Sequence, residues 1–454
     1  MGAVAKLLKA RGVFVSGSDA VEHELTEDLR KAGFEISIGH RAENIPEGTE
    51  VVVYSHAVPE DNPELVEAKR RGIEAIDTHA FLAMLFEGKD QVVVTGTHGK
   101  STTSSMLGSI LIDAGLNPTV VVGTKMSRFA DGNLQIGSED LLVVEGDEYR
   151  QHVLSYEPKV LVINNVEFDH PDVFKDEGAY IAMFRELIEL VRDNGIIVVN
   201  AEDEKLMAII KDKVDSMKER GISLITVGKE KGVVRFSEPT IADGVWSSRL
   251  IAAGSEYLEV ELHMPGEMNM RNAIMAITAS VGYDDTIDLG KVASSISAFP
   301  GCWRRYESIG NIGTVPVISD YGHHPTEVSA TLKAAKASNP NARIVLCFQP
   351  HHRNRTKGLF EDFISCFDNA DVLLLSEIYD VPGREAEEDA DMSSARLVEE
   401  IKKHDAERKI DRVVEFVGDL DETKKRVLET IKDGDVLLMM GAGTIDGMAR
   451  GIIE

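Results

Sequence analysis

Short apolar runs rich in β-branched residues alternate with longer stretches of helical periodicity along most of the chain. The runs lie at 12–16, 51–54, 92–95, 119–123, 141–145, 160–164 and 196–199, and they return at 343–348, 371–375, 413–417 and 435–440. Continuous apolar runs of this length are typical of strands buried on both faces, and helices between such strands are typical of βαβ units. The sequence therefore predicts an α/β protein built on parallel sheets.

Two turn-rich segments, 88–90 and 299–301, interrupt this alternation and are the predicted hinges. The predicted domains are residues 1–88, 89–299 and 300–454. Within the second domain, 222–263 holds several strand-like runs without long helical patterns. We expect a small antiparallel insertion there, or an antiparallel end to the central domain.

The N-terminal residues open on a helix rather than on a strand. Residues 1–12 have helical character, and a strand is expected over 13–16. Nucleotide-binding units of the parallel α/β type begin with a strand and a glycine-rich turn. We therefore interpret the first domain as one that lacks its first strand and that turn.

The length of 454 residues fits about three domains and is sufficient for a large enzyme. A formal net charge of −28 and an isoelectric point near 4.9 disfavour binding to nucleic acid or to an anionic membrane, because the phosphates of both repel an acidic surface. We therefore expect neither nucleic acid nor a membrane as a partner. The sequence leaves the oligomeric state open.

Three cysteines, Cys302, Cys347 and Cys366, form neither a disulfide framework nor a CxxC zinc pattern. No apolar stretch reaches the roughly 18 residues of a membrane span, and the N-terminal sequence has no apolar signal region before a small-residue cleavage site. A protein of the reducing cytoplasm is expected.

The most informative segment follows the apolar run at 92–95, where 96–103 reads Gly-Thr-His-Gly-Lys-Ser-Thr-Thr. Glycines let successive backbone N–H groups converge on phosphate oxygens, and the helix predicted over 101–114 points its positive end at them. In such loops the lysine reaches the β- and γ-phosphates, and a hydroxyl ligates Mg²⁺. The predicted nucleotide-binding residues are Gly96, Thr97, His98, Gly99, Lys100, Ser101 and Thr102, with Ser101 or Thr102 as the magnesium ligand.

The generic form of this loop has a further glycine at position 94, which is Val94 in this chain. The loop is therefore a compact variant built on Gly96 and Gly99. The alternative is a plain strand-to-helix turn. Its placement after three valines and before a helical segment favours nucleotide binding.

Candidate metal ligands follow two further apolar runs. Glu145 ends the run at 141–145, and His170 lies shortly after the run at 160–164. Because open α/β sheets bind ligands at the carboxyl ends of parallel strands, both positions suit a metal site. Mg²⁺ prefers oxygen, so Glu145 is a natural ligand and His170 a less usual one, for a second ion. The alternative is that these residues only cap the next helix.

Two polar clusters follow apolar runs in the last third of the chain. Asp320 precedes Tyr-Gly-His-His at 321–324, and a later run precedes Gln-Pro-His-His-Arg-Asn-Arg-Thr at 349–356. Two histidine pairs without tetrahedral ligand spacing favour hydrogen bonds to a substrate over a zinc site. Arg304 and Arg305, just past the second hinge, either bring positive charge to a phosphate on the neighbouring domain or form a solvated pair.

Taken in order, these segments resemble the Mur ligases, the ATP-dependent amide-forming enzymes of peptidoglycan precursor synthesis, over essentially the whole chain. The resemblance implies a Rossmann-like N-terminal domain that binds UDP. It also implies a central P-loop ATPase-like parallel sheet that binds ATP, and a Rossmann-like C-terminal domain that binds the amino acid.

The resemblance also implies roles for single residues. The implied catalytic residues are Lys100, Glu145, His170, Arg305 and Asp320. The implied magnesium ligands are Ser101, Thr102, Glu145 and His170. Asn269 and Asn272 match a central-domain motif that contacts ATP, and Arg305 and Asp320 match C-terminal residues that close over ATP.

The implied substrates are ATP, UDP-N-acetylmuramate and an amino acid. Four residues follow predicted strands of the first domain, where a uridine is read, with ordinary loop polarity as the alternative: Ser18, Asp19, Ser55 and His56. Four residues of the C-terminal domain are implied to bind substrate: His323, His324, His351 and Arg355.

Two sets of motifs within the family point to different amines. The segments 320–327, 348–356 and 441–443 are similar to those of members that add L-alanine, whereas 145–149 and 164–170 are closer to those of members that attach a preformed tripeptide during recycling. Because the C-terminal domain selects the amine in this family, we expect L-alanine. The recycling reaction and a P-loop ATPase without ligase activity remain the alternatives.

Three features depart from the family pattern. The opening strand and glycine-rich turn that cradle the UDP diphosphate would precede Met1. Met268 stands where relatives commonly have histidine, and Pro-His-His-Arg at 350–353 stands where relatives read Pro-His-Arg-Tyr. The choice among L-alanine, glycine and L-serine therefore stays open.

Overall fold

Parallel strands and the helices that connect them form three successive units. The structure of the protein, a computed structural model, describes residues 1–171, 173–252, 254–380 and 391–453. The β-branched runs become strands because side chains such as Val92 and Val143 are buried between helices on the two faces of a sheet. The predicted α/β class is confirmed.

The N-terminal unit contains two separate two-stranded parallel sheets, β1–β2 and β3–β4. Its elements are α1 (Gly2–Ala10), β1 (Ser16–Asp19), α2 (Glu24–Lys31), β2 (Glu35–Ile38), a 3-10 turn (Ala42–Asn44), β3 (Val51–Tyr54), α3 (Pro63–Arg71), β4 (Glu74–Asp77) and α4 (Thr78–Leu85). The strand expected over 13–16 lies further along the chain than predicted. Parallel pairing with β2 begins only at Ser16, and the apolar residues before it have no facing strand, so Phe14 is 71% exposed.

The central unit is built on one eleven-stranded sheet. Its strands are β5 (Asp90–Thr95), β6 (Thr119–Val121), β7 (Leu134–Gln135), β8 (Leu141–Glu145), β9 (Val160–Ile163), β10 (Ile196–Asn200), β11 (Ser223–Gly228), β12 (Val234–Phe236), β13 (Thr240–Ala242), β14 (Val245–Ala252) and β15 (Ser255–Leu262). Its helices are α5 (Lys100–Ala114), α6 (Glu177–Glu189), α7 (Glu204–Glu219), α8 (Glu267–Tyr283) and α9 (Leu289–Ser297), with a 3-10 segment at Tyr149–Ser155.

Strand β5 lies in the middle of this sheet, between β8 and β9, and the parallel core runs in the order β6-β8-β5-β9-β10-β11. Beyond β12, the strand β14 pairs antiparallel with β12, β13 and β15. The antiparallel element predicted for 222–263 is thus confirmed, except that its first run, β11, still belongs to the parallel sheet.

The N-terminal unit is anchored to the central unit by apolar packing. Leu7 of α1 and Phe86, which follows α4, are fully buried in the same cluster as Leu161 of β9 and Phe184 of α6. Burial of a side chain of this size contributes roughly 1.5–3 kcal/mol. The other face of the central sheet packs on α5 and α8.

Among its described residues, the C-terminal unit has a six-stranded sheet in the order β16-β17-β21-β18-β19-β20, in which only the β16–β17 pair is antiparallel. Its strands are β16 (Glu307–Ile312), β17 (Val315–Asp320), β18 (Arg343–Phe348), β19 (Val372–Leu375), β20 (Val413–Phe416) and β21 (Asp435–Met440). Its helices are α10 (Pro325–Ser338), α11 (Arg353–Gly358), α12 (Phe360–Ser365), α13 (Ser394–Arg408), α14 (Leu420–Thr430) and α15 (Ile445–Ile453). Across the described ranges, none of the helices combines the length and the apolar character needed to cross a membrane.

Candidate active site

The phosphate loop connects β5 to α5 and depends on two glycines with left-handed backbone. Gly96 has a φ of 123°, and a Cβ there would lie 2.9 Å from the backbone N and O of Asn165. Gly99 has a φ of 80°, and a Cβ there would lie 2.5 Å from Oδ1 of Asn272. Side chains larger than that of glycine do not fit at such distances. The loop therefore packs directly on the segment after β9 and on α8.

Lys100, the first residue of α5, folds back over this loop. Its Nζ donates to the carbonyl oxygen of Gly96 at 2.8 Å and lies 2.9 Å from Oε2 of Glu148, which is almost fully buried. Burial alone would lower the pKa of Lys100, but the charges of Glu148 and Asp147 raise it, so the ammonium group stays protonated. A cation is thus held beside the first turn of α5, whose N–H groups have no helical partner.

Ser101 and Glu145 together form an oxygen-rich corner next to Lys100. The Ser101 hydroxyl donates to Oε1 of Glu145 at 2.8 Å, and the Gly123 N–H donates to Oε2 at 2.5 Å. A hydroxyl beside a carboxylate at the end of β8 is a donor set that suits Mg²⁺. Thr102 lies on the other side of the loop, so the structure unites Ser101 with Glu145 but separates Thr102 from them.

His170, in the segment after β9, lies against Glu148, the ion-pair partner of Lys100. Its backbone is left-handed with a φ of 58°, and its Nε2 lies 3.3 Å from Oε1 of Glu148. Burial alone would lower the pKa of His170, but the hydrogen bond with Glu148 and the charge of Asp169 raise it. The structure thus joins Lys100, Glu145 and His170, which the sequence predicted as neighbours.

Two cavities meet at the phosphate loop, with volumes of about 1050 Å³ and 1120 Å³. The first is lined by Lys100, Ser101, Glu145, His170, His323 and Arg355. The second is lined by Gly99, Thr102, Met268, Asn269, Asn272 and Asp320. A polyphosphate bound on the loop would therefore extend into both cavities, so that each cavity could hold a different substrate.

Arg305 brings the C-terminal unit to the loop. Its Nη2 lies 3.4 Å from the Ser101 hydroxyl oxygen, and its guanidinium stacks over the ring of Tyr321. Burial alone would lower the pKa of Arg305, but the neighbouring carboxylates, Glu327 foremost, raise it. For Arg305, the structure supports the predicted positive charge beside the phosphate site. Arg304 is neither there nor solvated, because its guanidinium is buried and donates to the carbonyl oxygens of Gly441 and Gly443.

Asp320 lies at the end of β17, and both of its carboxylate oxygens accept hydrogen bonds from backbone N–H groups. Its Oδ1 accepts from the Gly322 N–H at 2.7 Å, and its Oδ2 accepts from the Tyr306 N–H at 2.8 Å. Burial raises the pKa of Asp320 to about 6, although these hydrogen bonds and Arg305 oppose that shift. In this arrangement Asp320 holds together the two turns that face the second cavity.

Arg355 of α11 forms a buried ion pair with Asp169 of the central unit. Its Nε and Nη2 donate to Oδ1 of Asp169 at 3.1 and 3.0 Å. His351 lies 3.4 Å from its Nη1, and burial with nearby cations lowers the pKa of His351 to about 2. Burial and Arg355 lower the pKa of His323 to about 4. Arg355 and two neutral imidazoles are therefore brought together in the first cavity.

His324 lines both cavities from the start of α10, whereas the four predicted residues of the N-terminal unit lie elsewhere. His324 caps α10, where its Nδ1 accepts from the Thr326 N–H at 3.3 Å. Ser18 donates to Glu64 at 2.7 Å, and His56 stacks on His152 with ring centroids 4.6 Å apart. Among the described residues that line the two cavities, none is Ser18, Asp19, Ser55 or His56. Uridine binding by these four residues stays a prediction.

Four buried or half-buried acids around the loop were not singled out from the sequence. They are Glu148, Glu167, Asp169 and Glu327, and each forms an ion pair with a residue of the site. The first three follow β8 or β9, so their place after an apolar run was the available signal. Glu327 lies in the first turn of α10, where an acid normally indicates only a helix start.

Sequence profiles of the Mur ligases match three successive parts of the chain. The profile described as "Mur ligase family, catalytic domain" matches residues 1–90, "Mur ligase middle domain" matches 94–280, and "Mur ligase, glutamate ligase domain" matches 304–443. The phosphate loop and Glu145 fall in the middle profile, and Arg305 and Arg355 fall in the last.

Curated relatives and a solved structure match essentially the whole chain. It is 37% identical to a UDP-N-acetylmuramate–L-alanine ligase of Salinibacter ruber, over 100% of this chain and 92% of that protein. It is also 37% identical to the Clostridium tetani ligase of the same name, over 98% of this chain and 93% of that protein. The crystal structure of UDP-N-acetylmuramate-alanine ligase from Thermotoga maritima superimposes with a TM-score of 0.80, at 27% identity, over 100% of this chain and 95% of that one.

Proposed function

The chain belongs to the Mur ligase family, and from this premise we propose that it joins L-alanine to UDP-N-acetylmuramate at the expense of ATP. Members of this family are ATP-dependent ligases that form amide bonds. The observation that carries the proposal is similarity along the full chain to ligases named for this reaction. The meeting of the two cavities at the phosphate loop supports it, because such a reaction needs ATP and an acceptor on opposite sides of the γ-phosphate.

The first step transfers the γ-phosphoryl group of ATP to the lactyl carboxylate of UDP-N-acetylmuramate. A carboxylate oxygen attacks phosphorus, the bond to the β-phosphate oxygen breaks, and ADP leaves an acyl phosphate behind. This step is needed because a free carboxylate has no good leaving group. Lys100, whose ammonium group lies on the phosphate loop, and Arg305, which lies 3.4 Å from the Ser101 hydroxyl oxygen, stabilise the negative charge that develops on the transferred group.

In the second step the α-amine of L-alanine attacks the carbonyl carbon of the acyl phosphate. The carbon–oxygen bond to phosphate breaks, and the amide, inorganic phosphate and a proton result. Arg355 binds the carboxylate of the amino acid. The neutral ring of His323 donates from Nδ1 to the Tyr321 carbonyl oxygen at 3.2 Å and accepts a hydrogen bond from the amino group at Nε2, whereas Nδ1 of His351 accepts from Arg355. The third unit excludes water from the acyl phosphate when it closes over the central unit.

Magnesium is part of the proposal, with Ser101 and Glu145 as ligands of one ion and His170 as a ligand of a second. The hydroxyl–carboxylate pair at 2.8 Å offers the oxygen donors that this ion prefers, whereas the imidazole is a less usual ligand. A bound Mg²⁺ supplies positive charge at the phosphate oxygens. Thr102 faces the second cavity, so of the two hydroxyls Ser101 is the proposed ligand.

Each unit has a proposed share in the reaction. Residues 1–88 bind the uridine nucleotide, 89–299 bind ATP, and 300–454 bind the amino acid. The three cysteines are all buried and unpaired in the structure, and this supports a cytoplasmic enzyme.

Product analysis tests the proposal directly. The protein is incubated with ATP, Mg²⁺, UDP-N-acetylmuramate and L-alanine, and the nucleotide sugar is analysed by mass spectrometry. A product heavier than UDP-N-acetylmuramate by one alanine residue, formed only with ATP, is expected. Replacement of L-alanine by the recycling tripeptide is the second arm. A product formed only in that arm would reject L-alanine as the substrate and assign the recycling reaction.

A further inference from the structure

His98 of the phosphate loop lies between two carboxylates that belong to different units. Its Nε2 is 2.8 Å from Oε2 of Glu167, which follows β9 in the central unit. Its Nδ1 is 3.1 Å from Oε1 of Glu327, which lies in the first turn of α10 in the C-terminal unit. The imidazole therefore connects the loop to the C-terminal unit through one side chain.

Each carboxylate also makes a second contact, Glu167 across the same boundary and Glu327 within the C-terminal unit. Oε1 of Glu167 accepts from the Thr326 hydroxyl at 2.8 Å. Oε2 of Glu327 accepts from the backbone N–H groups of His323 and His324 at 3.0 and 3.2 Å. Glu327 thus contacts both His98 and the segment that places His323 in the first cavity.

The hydrogen-bonding groups of His98 are engaged within the protein. Its backbone N–H donates to Oδ1 of Asn165 at 2.8 Å, and both ring nitrogens face carboxylates. A direct contact from His98 to a phosphate would require one of these bonds to break. The geometry favours a role through neighbouring groups over a direct role in ATP binding.

The ring carries a positive charge in this position. Three titratable side chains face it: Glu167 and Glu327 at hydrogen-bond distance, and His324 with a ring centroid 4.8 Å away. Burial alone would lower the pKa of His98, but the two carboxylates raise it to about 9. Because Glu167 and Glu327 would repel each other without a cation between them, the imidazolium stabilises the closed arrangement of the two units.

We propose that His98 is a positioning residue that couples the phosphate loop to closure of the C-terminal unit, by holding Glu167 and Glu327 together across the boundary. The inference rests on the proposed function, because closure is what brings Arg305, His323 and Arg355 to the phosphate. Loss of this coupling leaves ATP bound to the central unit while the third unit is less often in place. Turnover should then fall far more than ATP affinity.

The test compares His98→Gln, Glu327→Gln and the double variant, with His404→Gln as the matched control. His404 is a partly buried histidine that pairs with Asp368 at 3.2 Å, away from both cavities. Titration calorimetry gives the Kd for ATP in the presence of Mg²⁺, steady-state assays give kcat, and small-angle scattering with a non-hydrolysable ATP analogue reports closure. Thr326→Val, which removes only the contact to Glu167, serves as a milder variant in case His98→Gln does not fold.

We expect kcat to fall at least about tenfold in both single variants, with the Kd for ATP changed less than about threefold. The double variant should be about as impaired as either single variant, because all three lose the same contact. The analogue should compact the wild-type protein and the control but not the variants. A tenfold weaker ATP affinity, multiplicative effects or unchanged compaction would overturn the inference. Scattering and ATP binding need no amine, so they decide the inference even if the proposed ligation fails.

Discussion

At the scale of single residues, the site is an array of buried charges that neutralise one another at the ends of four strands, β5, β8, β9 and β18. Lys100 lies against Glu148, His170 against the same carboxylate, and Arg355 against Asp169. Removal of one partner from such a pair leaves an uncompensated charge in a poorly solvated place, which is costly. Substitutions here should therefore affect function strongly, and their matched controls must be charged residues outside the array.

Lys100→Ala should reduce turnover by about a hundredfold or more, because it removes the cation that we propose stabilises the transferred phosphoryl group. Circular dichroism should show an intact fold. The control is Lys89→Ala, which removes an exposed lysine paired with Asp140 at 2.6 Å. A Lys100 variant that kept more than about a tenth of the wild-type rate would remove this residue from the chemistry.

Arg355→Ala should raise the KM for the amino acid far more than the KM for ATP, because the guanidinium is proposed to bind the amino-acid carboxylate. Stability should fall as well, since Asp169 loses its buried partner. Arg353→Ala, two residues away in α11 and paired with Asp380 at 2.8 Å, is the control. Steady-state kinetics with each substrate varied in turn gives the KM values. An unchanged KM for the amino acid would exclude Arg355 from the amino-acid pocket.

The imidazolium of His98 predicts a pH dependence. Its pKa is raised in the folded protein from the ordinary value of 6.5 to about 9, because the carboxylates of Glu167 and Glu327 outweigh the effect of burial. The stabilisation it provides is therefore complete below pH 6.5 and is lost as the pH rises through about 9. The wild-type kcat should fall on this alkaline side, and His98→Gln should lack that fall. Since the amine substrate also titrates there, identical alkaline limbs in the two proteins would contradict the assignment.

At the scale of elements, the shape of the phosphate loop requires glycine where a Cβ would collide with a neighbouring residue. Gly99→Ala places a Cβ 2.5 Å from Oδ1 of Asn272 and should weaken ATP binding at least about tenfold. Gly115→Ala, at the other end of α5, has a similar φ of 93° but no atom within 4 Å. Calorimetry with ATP should detect no change there, although stability falls by about 1 kcal/mol. Equal ATP affinity in both variants would contradict the account of the loop.

Most strands could be predicted from the sequence because the parallel sheets are buried on both faces. The run at 92–95 became β5 and the run at 435–440 became β21. The N-terminal unit is less regular: its strands are half-exposed, so the apolar run at 12–16 indicated a strand whose pairing begins only at Ser16. An apolar run predicts the position of a strand well where the strand is buried on both faces. The prediction is poor where the strand belongs to a short, half-exposed pair.

The residues of the site also differ in how well the sequence could predict them. Lys100, Glu145 and His170 could be predicted because each is tied to the end of a strand that has a clear pattern. Glu148 and Glu327 could not, because their significance comes from contacts with Lys100 and His98 that form only in three dimensions. The separation of Thr102 from Glu145 likewise depends on the helical turn between adjacent hydroxyls, which the motif alone does not assign to one side.

At the scale of the whole molecule, the two boundaries of the central unit differ in chemistry. The N-terminal unit shares an apolar cluster with it, through residues such as Leu7 and Phe86. The C-terminal unit meets the phosphate site through polar contacts, including those of Arg305 and Glu327. Polar contacts exchange readily with water, whereas exposure of an apolar core is costly. Closure and opening should therefore take place mainly at the second boundary.

The most direct test of the central claim is phosphate release from ATP with Mg²⁺ and UDP-N-acetylmuramate, measured in separate reactions with L-alanine, glycine, L-serine and the recycling tripeptide. We predict release that depends on UDP-N-acetylmuramate and is stimulated most by L-alanine. Release stimulated only by the tripeptide would contradict the assigned amine. Release that ignores every amine would contradict the ligase reaction itself.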